Sequence, residues 1–471
     1  MSVRIPAALV ALTLLTLAAD TTGFVRADDQ ARTGKKVAVA KAVTKTAEDA
    51  AKDEFRAAKR EIQGRLRSKQ VPERIAAVRQ LNVYRGVEAA RLLVTVGLQD
   101  DEPSVRDAAY HQLLDFNDDL DIARYLLQVV KKDGRRADVN PTTFQLLAVL
   151  LASKSPDVER EVGTYLEKQT SSHEGLLFVQ TFADELGEHG QVEDVSPLAK
   201  LTKLRVFAAE FGLRRAIAEA LMKIGAPEAV GELVTLMERV QGEIRAEIVK
   251  HLIAVTGEDF GLEVAAWREW WKANKKEFQM AGAPRKDGTS VSMSRLGRES
   301  KFYGLSIHAQ KMVFIIDTSG SMVQGGRLNA AKRELLQAID GLTEDAQFSV
   351  LAFNGEVYAW RKQLMPANAA VKETAAHWVA TLETGTNTAS YDALEAGLQF
   401  DAEAIFFLTD GVPQGGNINN PADIVALITR GNRLKRMSIY TIGIGPQGGG
   451  FEQFLATLAR QNWGAYRRVD Q

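Results

Sequence analysis

The chain has 471 residues, which predicts two or three domains because an ordinary domain contains roughly 150 residues. Hydrophobic residues make up 45% and charged residues 25% of the sequence, a balance typical of soluble globular proteins. Because 59 Lys and Arg nearly balance 60 Asp and Glu, no overall charge favours nucleic acid as a partner. The cysteine count of 0 excludes disulfides, thiol-linked lipids and cysteine catalysis.

The first residues have the features of a secretory signal peptide. Arg4 precedes an apolar run from Ala7 to Ala19 that is too short to span a bilayer, and small residues near Ala27 offer a cleavage site. We therefore predict a signal peptide over residues 1–27, with an uncleaved anchor as the alternative. No similar run follows, so we expect a secreted, periplasmic or cell-envelope protein without a further transmembrane segment.

Residues 28–70 are predicted to form a charged helical linker. Glu48 lies four residues before Lys52, a spacing that supports a solvated helix, and no strong apolar face appears before Phe55. Such charged stretches are usually solvated linkers, and this one is given no function.

Residues 71–278 have an almost wholly helical pattern that partly repeats. The spacing of the clearest two copies is 32 residues and that of two looser copies is 31, which indicates stacked pairs of helices. The stretch QDDEPSVRDAA resembles a short HEAT repeat, which implies an all-α HEAT-like solenoid. A plain helical bundle is the alternative, and the weak match between about 120 and 205 leaves the number of repeats open. The copies start with Arg74, Arg106, Arg214 and Arg245.

The end of this region has three closely spaced tryptophans, and a linker follows it. Trp267, Trp270 and Trp271 fall on one face of a helix, which favours an apolar cap for the last repeat over a surface that binds sugars. Residues 279–301 lack apolar periodicity and are rich in Gly, Ser and Ala, so they are predicted to link two domains.

Beyond the linker, strand-like runs alternate with helical runs. Strongly apolar strands such as IFFL are typical of a sheet that helices cover on both faces, so we predict an α/β doubly wound parallel sheet. Ligands of such sheets bind beyond the carboxyl ends of the strands. The predicted strands are Met312–Ile316, Phe348–Phe353, Ala404–Leu408, Ser438–Ile444 and Ala465–Val469, and the predicted helices are Arg327–Ile339, Ala369–Leu382, Ala422–Leu434 and Phe451–Arg460.

Three segments place oxygen-bearing side chains at the ends of strands or the starts of helices. In FIIDTSGSM, Asp317 follows a buried strand, and Ser319 and Ser321 come two and four residues later. ETGTNTASYDAL adds Thr386, and FFLTDG adds Asp410 at the end of another buried strand. These hard oxygen donors suit Mg²⁺, Mn²⁺ or Ca²⁺ and disfavour zinc. The alternative for D-x-S-x-S alone is a turn with a helix cap.

The order of these motifs resembles that of a known family. D-x-S-x-S, a later G-T-N-T and a T-D-G at a strand end are together similar to the metal-ion-dependent adhesion site of von Willebrand factor type A domains. The resemblance covers about residues 302–471, and all five motif positions are intact.

The resemblance implies a role for each site residue. Ser319, Ser321 and Thr386 would coordinate the ion directly, while Asp317 and Asp410 would hold it chiefly through water. Neutral hydroxyls leave a dication under-neutralised, so an open position attracts an anionic oxygen. We expect the partner to be a protein that offers an acidic side chain.

The sequence therefore predicts a non-enzymatic protein that binds a protein partner through a divalent cation. The helical repeats would act as a scaffold and offer a surface for a possible second partner. One alternative is a hydrolytic enzyme of unknown substrate, although the usual nucleotide, zinc-protease and serine-hydrolase motifs do not occur. The other is a structural envelope scaffold in which the ion only stiffens the loops.

Overall fold

The computed structural model describes residues 54–134, 139–280, 300–445 and 448–470. The predicted signal peptide lies outside these residues, as do most of the two predicted linkers. Contacts divide the chain into two compact units, Met1–Glu161 and Val162–Gln471, so the division falls inside a helix and not in the Gly- and Ser-rich linker.

The described part of the first unit is helical. Pro103 and Pro141 each open a helix, where the fixed backbone angle of proline suits the first turn. Asp119 and Asn140 cap helix starts, because their side-chain oxygens accept hydrogen bonds from main-chain N–H groups that lack partners in the helix. The helices are α1 (54–66), α2 (Val71–Gln80), α3 (Val87–Thr95), α4 (Pro103–Phe116), α5 (Leu120–Asp133) and α6 (Pro141–Ala152).

Helices continue across the division and form the first part of the second unit. Trp267 is fully buried, donates from Nε1 to the Gly261 carbonyl over 2.9 Å, and contacts the edge of Phe260. Trp270 and Trp271 are half-buried beside it. The helices are α7 (Pro156–Gln169), α8 (His173–His189), α9 (Val195–Leu201), α10 (Val206–Ala209), α11 (Phe211–Lys223), α12 (Pro227–Leu236), α13 (Gly242–Thr256) and α14 (Val264–Asn274).

The arginines that repeat in the sequence make the same kind of contact in the structure. Each donates to a main-chain carbonyl five to seven residues upstream, and the leucine or isoleucine positions that follow are buried. In each copy, this hydrogen bond holds the main chain that precedes the helix in place. The pairs are Arg74 with Ser68 at 2.9 Å, Arg106 with Asp100 at 2.7 Å, Arg214 with Phe207 at 3.1 Å and Arg245 with Val240 at 2.8 Å.

The rest of the second unit is a mixed, mainly parallel sheet in the order β5-β4-β3-β7-β8-β9, with β6 also paired to β4. Strands β4, β3, β7, β8 and β9 run parallel to one another, whereas β5 and β6 pair antiparallel with β4. A separate hairpin joins β1 and β2. The strands are β1 (Lys301–Phe302), β2 (Leu305–Ser306), β3 (Lys311–Asp317), β4 (Gln347–Phe353), β5 (Val357–Ala359), β6 (Met365–Pro366), β7 (Ala404–Thr409), β8 (Ser438–Ile444) and β9 (Tyr466–Val469).

Helices cover both faces of this sheet. Phe314 and Phe406 pack on one face with α15 and α16, and Ile315 and Phe407 pack on the other with α17, α18 and α19. Because neighbouring residues of a strand point to opposite faces, continuous apolar strands bury two cores. The predicted fold class, a helical region followed by a doubly wound sheet, is confirmed. The helices are α15 (Arg327–Asp340), α16 (Ala369–Ala380), α17 (Ser390–Leu398), α18 (Pro421–Asn432) and α19 (Gly449–Gln461).

The sequence did not predict α17 or the antiparallel strands at the edge. The strands β5 and β6 contain three and two residues, too few for an alternating pattern to emerge. Helix α17 starts inside the segment that was read as a ligand loop.

Within the second unit, helices α8, α11 and α13 hold the amino-terminal edge of the sheet. Arg215 of α11 is fully buried and donates to the Arg436 carbonyl and to Ser438 Oγ, the latter over 2.9 Å. Arg436, in the turn before β8, forms ion pairs with Asp184 at 2.6 Å and Glu219 at 2.9 Å. The side chain of Arg436 is only 8% exposed, so the partly exposed Asp184 and Glu219 offset the cost of burying its charge.

A carboxyl group of the sheet region also caps a helix of the helical region. Glu403 Oε2, just before β7, accepts hydrogen bonds from the main-chain nitrogens of Glu243 at 3.3 Å and Gln310 at 3.1 Å. Tyr440 of β8 donates to Glu243 Oε2 over 2.7 Å. Burial raises the pKa of Glu403 to about 7 and raises the pKa of Glu243 as well. The opposite, carboxyl edge of the sheet lies about 20 Å away along seven-residue strands and carries the predicted site.

Candidate metal centre

Asp317, the last residue of β3, is fully buried. Its Oδ1 accepts from the main-chain nitrogen of Ser319 at 2.7 Å, and its Oδ2 accepts from Thr409 Oγ1 at 2.5 Å. Burial raises the pKa of Asp317 to about 6, although the hydrogen bonds from Thr409 and Ser319 counteract this effect and nearby Asp410 adds to it. Both carboxylate oxygens are thus fixed in direction before any ligand binds.

Ser319, Ser321 and Asp410 form a chain of side-chain oxygens beside Asp317. The two serine hydroxyl oxygens are 3.0 Å apart, and Ser321 donates to Asp410 Oδ1 over 2.7 Å. Asp410 directly follows β7, the parallel neighbour of β3, so the two carboxylates meet at the same edge of the sheet. The structure therefore brings together four of the five predicted site residues.

Thr386 lies in a loop that the structure positions beside the first serine. Gly385 pairs with Ser319 as an isolated parallel bridge, and its main-chain nitrogen donates to the Thr318 carbonyl over 2.8 Å. Thr386 itself is exposed. Its position next to Gly385 puts the fifth predicted residue at the rim of the cluster.

Arg327 belongs to this cluster, and the sequence analysis missed it. The guanidinium Nη1 lies 2.8 Å from Asp410 Oδ2, and both side chains are nearly inaccessible to solvent. Arg327 is the first residue of α15, where the positive end of the helix dipole disfavours a cation. In the sequence, an arginine at this unfavourable position was the feature that could have predicted a carboxylate nearby.

The donor set and spacing fit a divalent cation. Neighbouring ligands of an octahedral Mg²⁺ with bonds of about 2.1 Å lie about 3 Å apart. The hydroxyl oxygens of Ser319 and Ser321 are 3.0 Å apart, which fits such an arrangement. Within the described residues, no group of three or more His, Asp and Glu could hold a metal ion, so this candidate depends on serine hydroxyls beside two carboxylates. Metal binding itself stays a prediction.

In the described parts of the chain, no helix combines the length and apolar character that crossing a membrane requires.

Comparison with known families agrees with the topology of the sheet. Residues 310–468 match the von Willebrand factor type A domain family. The similar proteins include human inter-alpha-trypsin inhibitor heavy chain H4, 29% identical over 184 residues, and human von Willebrand factor A domain-containing protein 3B, 29% identical over 162 residues. These comparisons support a von Willebrand factor type A domain in the last third of the chain.

The similarity is confined to that domain. The aligned part is 36% of this chain and 19% of heavy chain H4, and 34% of this chain and 12% of protein 3B. The chain therefore spans about a fifth or less of the length of these relatives. A solved structure titled von Willebrand factor type A from Catenulispora acidiphila is 25% identical, covers 35% of this chain and 40% of its own, and has a TM-score of 0.32.

Proposed function

We propose that the C-terminal domain binds a protein partner through a divalent cation and that the helical region is its scaffold. The observation that carries this proposal is the convergence of Asp317, Ser319, Ser321 and Asp410 at the carboxyl edge of the sheet. Helices α11 and α13 contact the opposite edge of the sheet, away from these oxygens.

The proposed ion is Mg²⁺, with Mn²⁺ or Ca²⁺ as substitutes. Ser319, Ser321 and Thr386 would bind it directly, and Asp317 and Asp410 would act chiefly through water. Neutral hydroxyl ligands leave positive charge on the ion, so a carboxylate from a partner is the natural remaining ligand. The family resemblance supports these roles.

Two exposed apolar side chains favour a macromolecular partner over a small anion. Val323 follows Ser321 by two residues and is 63% exposed, and Val412 follows Asp410 by two residues and is 43% exposed. Large apolar side chains at a polar site gain free energy when a partner covers them. The proposed ligand is therefore an acidic side chain on a protein surface with apolar neighbours.

The helical region is proposed to consist of HEAT-like repeats. The recurring arginine contacts support this proposal, because they place the same kind of bond at equivalent points of two pairs of copies. Such repeats present extended surfaces, so a second protein partner on the helices is part of the proposal.

The protein is proposed to be exported and to lack enzymatic activity. Export to the exterior, the periplasm or the cell envelope rests on the apolar run after Arg4. The proposal predicts a mature N-terminus near Asp28, which mass spectrometry of the native protein checks. Turnover of an ester, peptide or phosphate by the purified protein would instead support the alternative of an enzyme.

The central test is cation binding by the full-length mature protein. Isothermal titration with Mn²⁺ and Mg²⁺ should give one site in the wild type and none in Asp317→Ala. Asp401→Ala is the matched control, because Asp401 is an exposed carboxylate near the other edge of the sheet. Capture of a partner from envelope and secreted fractions should be lost in EDTA while the circular dichroism spectrum is unchanged. Cation binding without cation-dependent capture would favour a structural ion, and equal affinity in Asp317→Ala would contradict the metal site.

A further inference from the structure

We infer that Arg327 sets the net charge of the metal site and thereby makes the loaded site selective for an anionic ligand. This inference rests on the proposed cation binding and assigns a role to a residue outside the five-residue motif. Arg327 touches Asp410 and would act on the ion through it, so it is a positioning residue.

The guanidinium and the carboxylate form a buried ion pair. Arg327 Nη1 is 2.8 Å from Asp410 Oδ2, with side-chain exposures of 8% and 0%. Oδ1 of the same carboxylate accepts from Ser321 at 2.7 Å. One oxygen of Asp410 is thus committed to the guanidinium, and only the other faces the serine hydroxyls.

The fold makes room for this guanidinium. Gly445 at the end of β8 has a φ of +86°, and a Cβ there would lie 2.6 Å from Arg327 Cζ. The Nε of Arg327 is buried without a hydrogen-bond partner in the described structure. Placing a cation at the first residue of a helix and leaving one of its donors unsatisfied costs free energy, so Asp410 must compensate that cost.

Counting charges gives the consequence. Metal ligands and their carboxylate neighbours are ionised in a loaded site, so Asp317 and Asp410 together contribute two negative charges. A divalent cation cancels them, and the positive charge of Arg327 then remains. The loaded site is therefore cationic with Arg327 and neutral without it. Within a few ångströms of a buried site such a charge strongly favours an anionic ligand.

The test compares Arg327→Met with Arg327→Lys in the full-length mature protein. Arg327→Met removes the charge and should bind Mn²⁺ at least about tenfold more tightly than the wild type, because a competing cation is gone. Arg327→Lys keeps the charge and should bind Mn²⁺ as the wild type does. Acetate that binds to the Mn²⁺-loaded protein should lower the relaxation rate of water protons. Arg327→Met should need a several-fold higher acetate concentration for this effect than the wild type and Arg327→Lys.

Thermal melts give a second measurement that does not depend on a partner. In EDTA, Arg327→Met should melt at a lower temperature because Asp410 is buried without its counter-ion, and Mn²⁺ should raise its Tm more than that of the wild type. Unchanged or weaker Mn²⁺ affinity in Arg327→Met would overturn the inference, and so would a Tm that saturating Mn²⁺ raises no more than that of the wild type. If the wild type itself binds no Mn²⁺, the proposed cation binding is wrong. That outcome is distinct from a wild type that binds Mn²⁺ and an Arg327→Met variant that binds it no more tightly.

Discussion

Of the five predicted site residues, Asp317, Ser319 and Asp410 are buried, Ser321 is partly buried and Thr386 is exposed. Asp317 and Asp410 are held by hydrogen bonds from several directions, whereas Thr386 is exposed on its loop. Substitutions of the buried residues are expected to change stability as well as any binding of a ligand. Thr386 is the position at which the two effects separate.

Thr386→Ala should weaken Mn²⁺ binding about tenfold and leave the Tm in EDTA within about 1 °C of the wild type. The hydroxyl is proposed as a direct ligand, and an exposed surface change rarely alters stability by more than about 0.5 kcal/mol. Isothermal titration and thermal melts measure the two effects. Thr384→Ala, in the same loop, is the control and should change neither. Equal Mn²⁺ affinity in Thr386→Ala and the wild type would remove this loop from the metal site.

The residue types of the site could be predicted from the sequence, but their connections could not. Strand ends at Asp317 and Asp410 are visible as apolar runs that stop at a carboxylate. The hydrogen bond from Thr409 to Asp317 joins residues 92 apart in the chain, and the ion pair of Arg327 with Asp410 joins residues 83 apart. Long-range pairs of this kind leave no local periodicity that a single sequence would reveal.

At the scale of elements, the start of helix α13 is closed by a carboxyl group from the sheet region. Glu403 accepts from the main-chain N–H of Glu243, which is one of the groups that a helix start leaves without a partner. Gly242 has a φ of +61°, and a Cβ there would lie 2.1 Å from Glu403 Oε2. The close approach therefore needs glycine at this position.

Gly242→Ala should lower the free energy of unfolding by about 2–3 kcal/mol, since it combines backbone strain with a steric clash against Glu403. Urea unfolding followed by circular dichroism measures the change. Gly225→Ala is a matched control in the same helical region, because nothing lies within 4 Å of the added Cβ. If both variants unfold at the same urea concentration, the cap from Glu403 does not stabilise the contact.

The contact at Glu403 should also depend on pH. The pKa of Glu403 is raised from 4.5 to about 7, chiefly by burial and in part by the Glu243 carboxyl group, although the two main-chain N–H donors and Arg214 counteract the rise. The folded state therefore binds a proton more tightly than the unfolded state. This stabilising contribution is complete below pH 4.5 and is lost as the pH rises through about 7.

As the pH rises from 4.5 to 8, the unfolding free energy of the wild type should fall by on the order of 2 kcal/mol more than that of Glu403→Gln. The amide resembles the protonated carboxyl group in shape and does not titrate. Urea titrations across this range measure the difference. The exposed Glu344→Gln serves as control and should follow the wild type. A Glu403→Gln profile parallel to that of the wild type would exclude Glu403 as the titrating group.

At the scale of the whole molecule, the second compact unit combines helices of the helical region with the C-terminal domain. Ion pairs of the buried Arg436 with the partly exposed Asp184 and Glu219 join the two, together with the bonds from Arg215. Composition alone would separate them at the linker over residues 279–301. The helices and the C-terminal domain are therefore separated along the chain by the linker, but their side chains are in direct contact.

Limited proteolysis should cut within residues 281–299, where the composition is rich in Gly, Ser and Lys/Arg, and the two fragments should elute together in size-exclusion chromatography. The buried contacts at the amino-terminal edge of the sheet are expected to hold the fragments together. Arg215→Met removes a fully buried donor to that edge and should weaken the association at least about a hundredfold, since breaking buried charged contacts costs about 3–5 kcal/mol. Fragments of the wild type that elute separately would show that the contacts do not suffice.

The sequence by itself determined the helical region, the alternation of strands and helices, and the residue types at the predicted site. These features depend on local periodicity and on residues next to one another in the chain. Only the tertiary structure decided that Arg327 pairs with Asp410, that Glu403 caps α13, and that α11 and α13 contact the edge opposite the site. Each of these contacts joins segments far apart in the chain, and each is stable because burial makes an unpaired charge or N–H group costly.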